Sequence, residues 1–261
     1  MTLFSLDVRL VAMQRAHDHE IPRHGPRTPR HVEWPTILVA GAIAGGFASL
    51  ALFHGSLPPP FTIVALGVLS AWYGSLRHEV VHGHPTPWWQ LNTALVAAPL
   101  SLTEPFWHYR DAHLQHHATD DLTDPTDDPE SQYLSASRWT ATGSIGRRIH
   151  RWNMTLAGRV VIGPWCAAAV VLRGLAAETT RRPLRVVRFV AADVAVIAAI
   201  TWTGMPLWQY LLGATYLGTS ITLVRSFAEH RAVRDGSRTA VVLGRGAWAP
   251  VSYTHLRAHE T

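Results

Sequence analysis

Two short segments of the chain concentrate histidine at spacings that suit metal binding. The first, HEVVH, places His78 and His82 four residues apart. The second, HLQHH, contains His113, His116 and His117. Side chains three or four residues apart lie on the same face of a helix, so each segment would present its imidazoles together. Because neutral imidazole ligates iron, zinc, copper and nickel, the pattern predicts a metal site.

Carboxylates accompany both histidine segments. Glu79 and Asp111 lie within or just before them, and six acidic residues follow HLQHH: Asp120, Asp121, Asp124, Asp127, Asp128 and Glu130. A carboxylate often accepts the ring N–H of a ligating histidine and so orients the ring. We expect Asp120 or Asp121 to do this, with Glu79 and Asp111 as similar candidates. The sequence DPTDDP is also typical of a solvated turn, so several of these residues need have no other role.

The rest of the chain is apolar. Of its 261 residues, 48% are hydrophobic and 16% are charged, whereas soluble domains contain roughly 25% charged residues. Four apolar runs, at about 35–54, 60–76, 186–202 and 207–224, approach or reach the length of a transmembrane helix. The sequence therefore predicts an all-α integral membrane protein with about four transmembrane helices in two hairpins.

Two further apolar segments are expected to lie in the membrane interface, because 91–102 is too short to cross and 155–172 is interrupted by Gly163–Pro164. The arginine-rich segment 1–34 and a basic loop at 173–188 would face the cytoplasm by the positive-inside rule. The histidine segments would then form a cytoplasmic cap. The net charge of +5 fits these basic flanks, so we expect no nucleic-acid partner.

The segments HEVVHGHP, YRDAHLQHH and TDPTDDPESQY, with RSFAEHR after the last apolar run, closely resemble the membrane fatty-acid desaturase family, whose superfamily includes hydroxylases and ketolases. The resemblance implies a non-haem centre of two iron ions, oxygen-dependent desaturation of a lipid acyl chain, and a ferredoxin- or cytochrome-type electron donor. It also implies a site on the cytoplasmic face, here of a bacterial inner membrane. The implied ligands are His78, His82, His113, His116, His117 and His230, with Glu229 in support.

The sequence departs from the family pattern near its end. A third histidine box, expected some tens of residues after EHR, is not found. We therefore divide the chain into a cytoplasmic polar segment (1–34), an incomplete desaturase-like membrane domain (35–243) and a divergent tail (244–261) that resembles translated adapter sequence. On this interpretation desaturation belongs to the parent protein, and the chain as written is inactive and could hold only one metal ion.

Other functions remain open at this stage. A lipid or carotenoid hydroxylase or ketolase of the same superfamily would show the same boxes. A histidine-rich membrane protein that binds or transports metal would also collect imidazoles, but it predicts ionisable residues inside the spans. Asp193 is the one carboxylate that lies deep in a predicted span. The histidines themselves would accept zinc as well as iron.

Overall fold

The computed structural model describes residues 29–118 and 124–229. These residues form helices and loops, and the described part contains no β-strand. The predictions for Asp120, Asp121, His230 and the tail 244–261 concern residues outside this part, as does most of the polar segment 1–34. Helical structure throughout the described residues confirms the predicted all-α class.

Two long helices come first. Helix α1 spans Trp34–Phe53 and helix α2 spans Pro59–Val81, with a 3₁₀ turn at His54–Ser56 between them. Both helices have proline in their first turn, where the missing N–H removes no intrahelical bond. The stretches Trp34–Ser56 and Pro59–Val81 are long and apolar enough to cross a membrane.

Shorter helices occupy the middle of the chain. Their bounds are α3 Trp89–Leu95, α4 Phe106–Ala118, α5 Ala136–Ala141, α6 Ser144–Asn153 and α7 Leu156–Val161. The C-terminal elements are longer: α8 Gly163–Arg181, α9 Pro183–Trp202, α10 Leu207–Tyr210, a π segment at Leu211–Leu217 and α11 Gly218–Glu229. Helices α10 and α11 continue through the π segment without a break.

Each of the four predicted spans lies largely within helical structure, and the TGMP turn between the last two contains Gly204 at a φ of +79°. In the described residues, only α1 and α2 meet the length and apolarity of a membrane-spanning helix. Helix α9 contains Arg185, Arg188 and Asp193, and the last helical run is divided by the π segment. The count of four spans therefore stays a prediction.

The basic stretch 173–188 is not a loop as expected. Helix α8 continues to Arg181 and α9 begins at Pro183, so Arg182 alone separates them. The stretch is rich in alanine, leucine and arginine, which favour helix even when exposed. Pro183 ends α8 because proline disfavours helical geometry in the residue before it.

The chain divides into two compact units. Among the described residues, the first unit comprises 29–106 and 167–222, and the second comprises 107–118, 124–166 and 223–229. In the first unit, α2 packs against α1 and along the π segment. Its core includes Ile43 and Phe47 of α1, Leu66 of α2 and Tyr210 of α10, all at most 4% exposed.

The contact between α2 and the last helical run depends on small residues. A Cβ atom added to Gly213 would lie 2.7 Å from the backbone oxygen of Ile63, and one added to Gly67 would lie 2.7 Å from Leu217 Cγ. A Cβ atom added to Gly218 would also lie too close to the side chain of Ser70. Glycine at these positions lets the two helix backbones approach closely, as is common between membrane helices.

The segment that follows α3 is irregular, and tyrosines bind its carbonyl groups. The hydroxyl of Tyr73 donates to Val96 O (3.1 Å) and Ala98 O (2.7 Å), and that of Tyr210 donates to Leu100 O. A carbonyl group buried in apolar surroundings needs a donor. The two tyrosines therefore allow this part of the interfacial segment 91–102 to leave the helical conformation while buried.

Candidate metal centre

The first histidine pair lies where α2 ends. His78 is in the last turn of α2 and is 4% exposed, and His82 is the residue that caps the helix. The backbone N–H of His82 still donates to His78 O at 3.3 Å, so both side chains lie on one helix face. Their ring centroids are 4.6 Å apart. Gly83 follows at a φ of +89°, a conformation that glycine adopts readily and that ends the helix.

The loop after this pair is fixed by one buried amide. Asn92 of α3 is fully buried, and its Nδ2 donates to Gly83 O (2.6 Å) and Thr86 O (2.9 Å). Its Oδ1 accepts from the backbone N–H (2.9 Å) and the hydroxyl (2.7 Å) of Thr86. All four hydrogen-bonding positions of the amide are therefore filled. Asn92 thus holds the chain that follows His82 in one conformation.

Two further polar contacts fix the same end of α2. Arg77, which is 6% exposed, donates from Nη2 to Glu104 O (3.2 Å) and Pro105 O (3.4 Å). His84 Nδ1 lies 2.8 Å from Glu33 Oε1, and the backbone N–H of Glu33 donates to Pro85 O at 2.9 Å. His84 is therefore engaged by a carboxylate at the start of α1.

The second histidine segment forms most of the last two turns of α4. His113 and His116 are each 1% exposed, and each is paired with a carboxylate. His113 Nδ1 lies 2.9 Å from Glu130 Oε1, and His116 Nδ1 lies 2.8 Å from Asp128 Oδ1. Asp128 Oδ1 also accepts the backbone N–H of Glu130 at 2.8 Å, which orients the carboxylate loop.

These carboxylates determine the protonation of the rings. An ionised carboxylate can only accept a hydrogen bond, so Nδ1 of His113 and of His116 carries the proton. In a neutral ring, Nε2 then has the lone pair that a metal needs. Burial lowers the pKa of His116, but Glu130 and Asp128 outweigh that effect and raise the pKa to about 8.

Four of the predicted ligands form a group that could hold a metal ion. His78 and His82 belong to the first unit and His113 and His117 to the second, and each offers one ring nitrogen. His113 Nε2 and His117 Nε2 are 2.9 Å apart. Two nitrogens bound at right angles to one ion at about 2.1 Å would be about 3 Å apart, so this donor set fits a transition metal.

The other predicted site residues have different surroundings. His116 is outside the group of four, although its ring centroid is 5.8 Å from that of His113. Glu79 Oε1 is 3.5 Å from His78 Nδ1, which is long for a hydrogen bond, and Asp111 pairs with Arg110 at 3.0 Å. The side chain of Glu229, like Asp120, Asp121 and His230, lies outside the described part.

The two carboxylates that contact the α4 histidines, Glu130 and Asp128, are not distinguished in the sequence from the rest of the acidic run. The supporting role was expected of residues nearer HLQHH. The intervening turn explains the difference, because Asp124 Oδ1 accepts the backbone N–H groups of Thr126 (2.6 Å) and Asp127 (3.0 Å). This turn precedes Asp128, whose carboxylate binds the ring of His116. The only signal in the sequence was the turn-forming DPTDDP itself.

Comparison with known families agrees with this site. The sequence model of the fatty acid desaturase family matches residues 55–257, which is most of the chain. No curated protein and no solved structure gives a match. Within the described residues, two apolar helices of spanning length and four histidines that could hold a metal ion are features that fit a membrane family with a metal centre. The chain belongs to the fatty acid desaturase family.

Proposed function

We propose that this chain carries the first two histidine boxes of an oxygen-dependent lipid desaturase, in which histidines hold a non-haem diiron centre and a fatty acyl chain is the substrate. The activity would belong to the parent protein, since this chain lacks the third histidine box and would itself be inactive. The observation that carries the proposal is the set of four histidines that could hold a metal ion, His78, His82, His113 and His117. Membership of the fatty acid desaturase family supports the reaction class. The electron donor would be a ferredoxin or a cytochrome.

In this proposal the residues of the chain prepare the site. The imidazoles of the four histidines would bind iron, with His116 and His230 as further ligands. Glu130 and Asp128 keep the protons of His113 and His116 on Nδ1, so that Nε2 can donate its lone pair. When bound, iron would supply the one-electron oxygen chemistry that removes hydrogen from an unactivated C–H bond.

The site would face the cytoplasm of a bacterial inner membrane, since arginine is frequent before α1 and around Arg182. The burial of His78, His113 and His116, each at most 4% exposed, supports a site that excludes water. Exclusion of water strengthens ligation and protects a reactive oxidant from side reactions. Glu79, Asp111, Asp120, Asp121 and Glu229 stay candidates for support of the ligands.

Metal analysis of the purified protein tests the proposal first. We expect iron to copurify with the wild-type chain and to fall by at least about tenfold in His113→Asn, since this change removes a nitrogen of the group. His54→Asn is a matched control, because His54 Nδ1 bonds to Ala51 O in the turn after α1. Equal iron content in the wild type and His113→Asn would contradict a histidine-held centre.

Product analysis then separates desaturation from its nearest alternative. Membranes that contain the parent protein with its third histidine box, a reduced ferredoxin and oxygen should yield acyl chains with a new double bond, identified by gas chromatography and mass spectrometry. Membranes with the present chain in its place should yield none. A hydroxylated or oxo product would assign the chain to the hydroxylases and ketolases with the same metal site. Iron binding with neither product would leave metal storage or transport as the function.

A further inference from the structure

A second buried polar cluster lies in the second unit, on α6, α7 and the start of α8. At its centre is Arg159 of α7, which is 3% exposed. The Nε and Nη1 atoms of Arg159 are buried and have no hydrogen-bond partner among the described residues, and Nη2 lies 4.0 Å from the sulfur of Met154. The Oδ1 atom of Asn153, a residue 8% exposed, is likewise buried without a partner.

The positive charge of Arg159 is not balanced by its described neighbours. Burial lowers the pKa of Arg159, and the described groups that oppose this effect are Tyr133 and Cys166, neither of which is a carboxylate. Burial raises the pKa of the Cys166 thiol and so keeps it neutral. The pKa of His150 is lowered by burial and by the charge of Arg159, so His150 is neutral there as well.

Arginine cannot relieve this situation by losing its proton, because guanidinium stays charged at any physiological pH. A buried charge without a partner is strongly unfavourable unless an opposite charge joins it. Guanidinium has two edges that match the oxygens of a carboxylate or a phosphate. Because Nε belongs to one edge and Nη1 to the other, neither edge of Arg159 has a full set of acceptors within 29–118 and 124–229.

We propose that Arg159 anchors a binding site for an oxyanion, a phosphate or carboxylate group supplied from outside the chain. The site does not depend on the desaturase reaction, since it lies apart in the sequence from the histidine segments and involves none of their residues.

The walls of the cluster favour an anion that is attached to an apolar molecule. The guanidinium carbon of Arg159 lies 5.8 Å from the ring centroid of Phe227, and Met154 contacts its other end. Phe227 is itself 38% exposed, so one apolar neighbour of Arg159 reaches the surface of the described part. Methionine adjusts its shape easily, which would let a ligand enter. An anionic lipid supplies both an anion for Arg159 and an apolar part for the walls, whereas free phosphate supplies only the anion.

A binding experiment on the delipidated, full-length protein in a neutral detergent distinguishes these sources. The probes are dodecyl phosphate, dodecanol and inorganic phosphate, each followed by the shift in thermal unfolding temperature. We expect dodecyl phosphate to raise this temperature and dodecanol to leave it unchanged. A rise with inorganic phosphate as well identifies a site for free anions, and a rise with dodecyl phosphate alone identifies a lipid site. No rise with either phosphate overturns the proposal.

Substitution assigns the effect to Arg159. In Arg159→Met the dissociation constant for dodecyl phosphate should increase by at least about 30-fold, as is typical when one partner of a buried charge pair is removed. Arg159→Lys should retain part of the affinity, because lysine keeps the positive charge but lacks the planar set of N–H donors of guanidinium. Arg148→Met is the control, since Arg148 is exposed on α6, and should bind as the wild type does.

The same variants exclude a purely structural role. Without ligand, Arg159→Met should unfold at the same temperature as the wild type or a higher one, because it removes an uncompensated buried charge. A structural role would give a different result. Unliganded Arg159→Met would then unfold at a lower temperature than the wild type, and both Arg159→Lys and Arg159→Met would bind dodecyl phosphate as the wild type does. If Arg159→Met does not fold, the comparison uses Arg159→Lys. Equal affinity for dodecyl phosphate in Arg159→Lys and Arg148→Met would overturn the proposal that the guanidinium group binds the anion.

Discussion

A histidine ring binds metal only when the correct nitrogen carries its lone pair, and here acidic residues far along the chain decide this. His113 and Glu130 are 17 residues apart, and His116 and Asp128 are 12 apart, yet both pairs are at hydrogen-bond distance. The sequence reveals the ligands because i, i+4 spacing is local. It does not reveal their carboxylate partners, because a loop conformation sets those contacts.

Replacement of Glu130 by glutamine tests this dependence. The amide is uncharged and holds the proton on His113 Nδ1 less firmly, so metal affinity should fall about 10- to 100-fold. Iron or zinc affinity measured with a competing chelator checks the expectation. Asp127→Asn is the matched control, because Asp127 is exposed in the same loop and should leave affinity unchanged. Equal losses in the two variants would mean that only the charge of the loop matters.

Asn92 is a second residue whose importance is not visible in the sequence. In Asn92→Ala, the carbonyls of Gly83 and Thr86 and the N–H of Thr86 lose their buried partner. Each buried group left without a partner costs about 1–3 kcal/mol. Because three groups are affected, we expect the free energy of unfolding to fall by about 3 kcal/mol or more. Thermal unfolding in detergent measures it, and Gln90→Ala, at an exposed position of α3, should cost little. Equal unfolding temperatures for both variants would contradict the role of the amide.

At the scale of helices, the apolar runs located the long elements well, because a buried or lipid-facing helix must be apolar over its whole length. The lengths of the intervening loops were harder to predict. Charged residues at 173–188 favoured a loop, but arginine and alanine are strong helix formers and only Pro183 interrupts them. The π segment also has no marker in the sequence, since it requires only one additional residue in a helical turn.

The close approach of α2 to the π segment leads to a prediction about helix packing. Alanine at Gly213 would place Cβ 2.7 Å from Ile63 O and 2.8 Å from Leu66 Cβ, so the two helices must separate. We expect Gly213→Ala to destabilise the protein by about 1–3 kcal/mol. Gly45→Ala in α1 is the control, because no atom lies within 4 Å of the added carbon. Gly45→Ala should leave the unfolding temperature unchanged or raise it slightly, because alanine favours helix more than glycine does. Similar unfolding temperatures for the two variants would show that the helices are not packed so closely.

For the molecule as a whole, the surface supports the membrane assignment. Large apolar side chains are exposed on the long helices, among them Leu38 (71%), Phe53 (62%) and Phe61 (56%). Such a surface would be unfavourable in water and suits contact with lipid. The sequence predicted the membrane class from composition alone. It could not establish the number of spans, because α9 combines an apolar run with three charged residues.

Insertion of α1 into a membrane gives a direct test at this scale. Ala44 lies near the middle of α1 and is exposed. Arginine there should cost about 2.5–3.5 kcal/mol on insertion and lower the fraction of protein recovered in carbonate-washed membranes. Ala44→Leu at the same position should be recovered like the wild type. Undiminished recovery of Ala44→Arg would mean that α1 does not cross the bilayer.

The contacts of Glu33 connect the start of the first long helix with the end of the second. Its side chain holds His84 and its backbone N–H holds Pro85, one turn beyond His82. Transmembrane helices tilt to match the thickness of the bilayer around them. A change in the tilt of α1 would therefore pull directly on the loop that follows a metal-binding histidine. The physical state of the lipid, set by temperature and by its content of double bonds, would in this way act on the site itself.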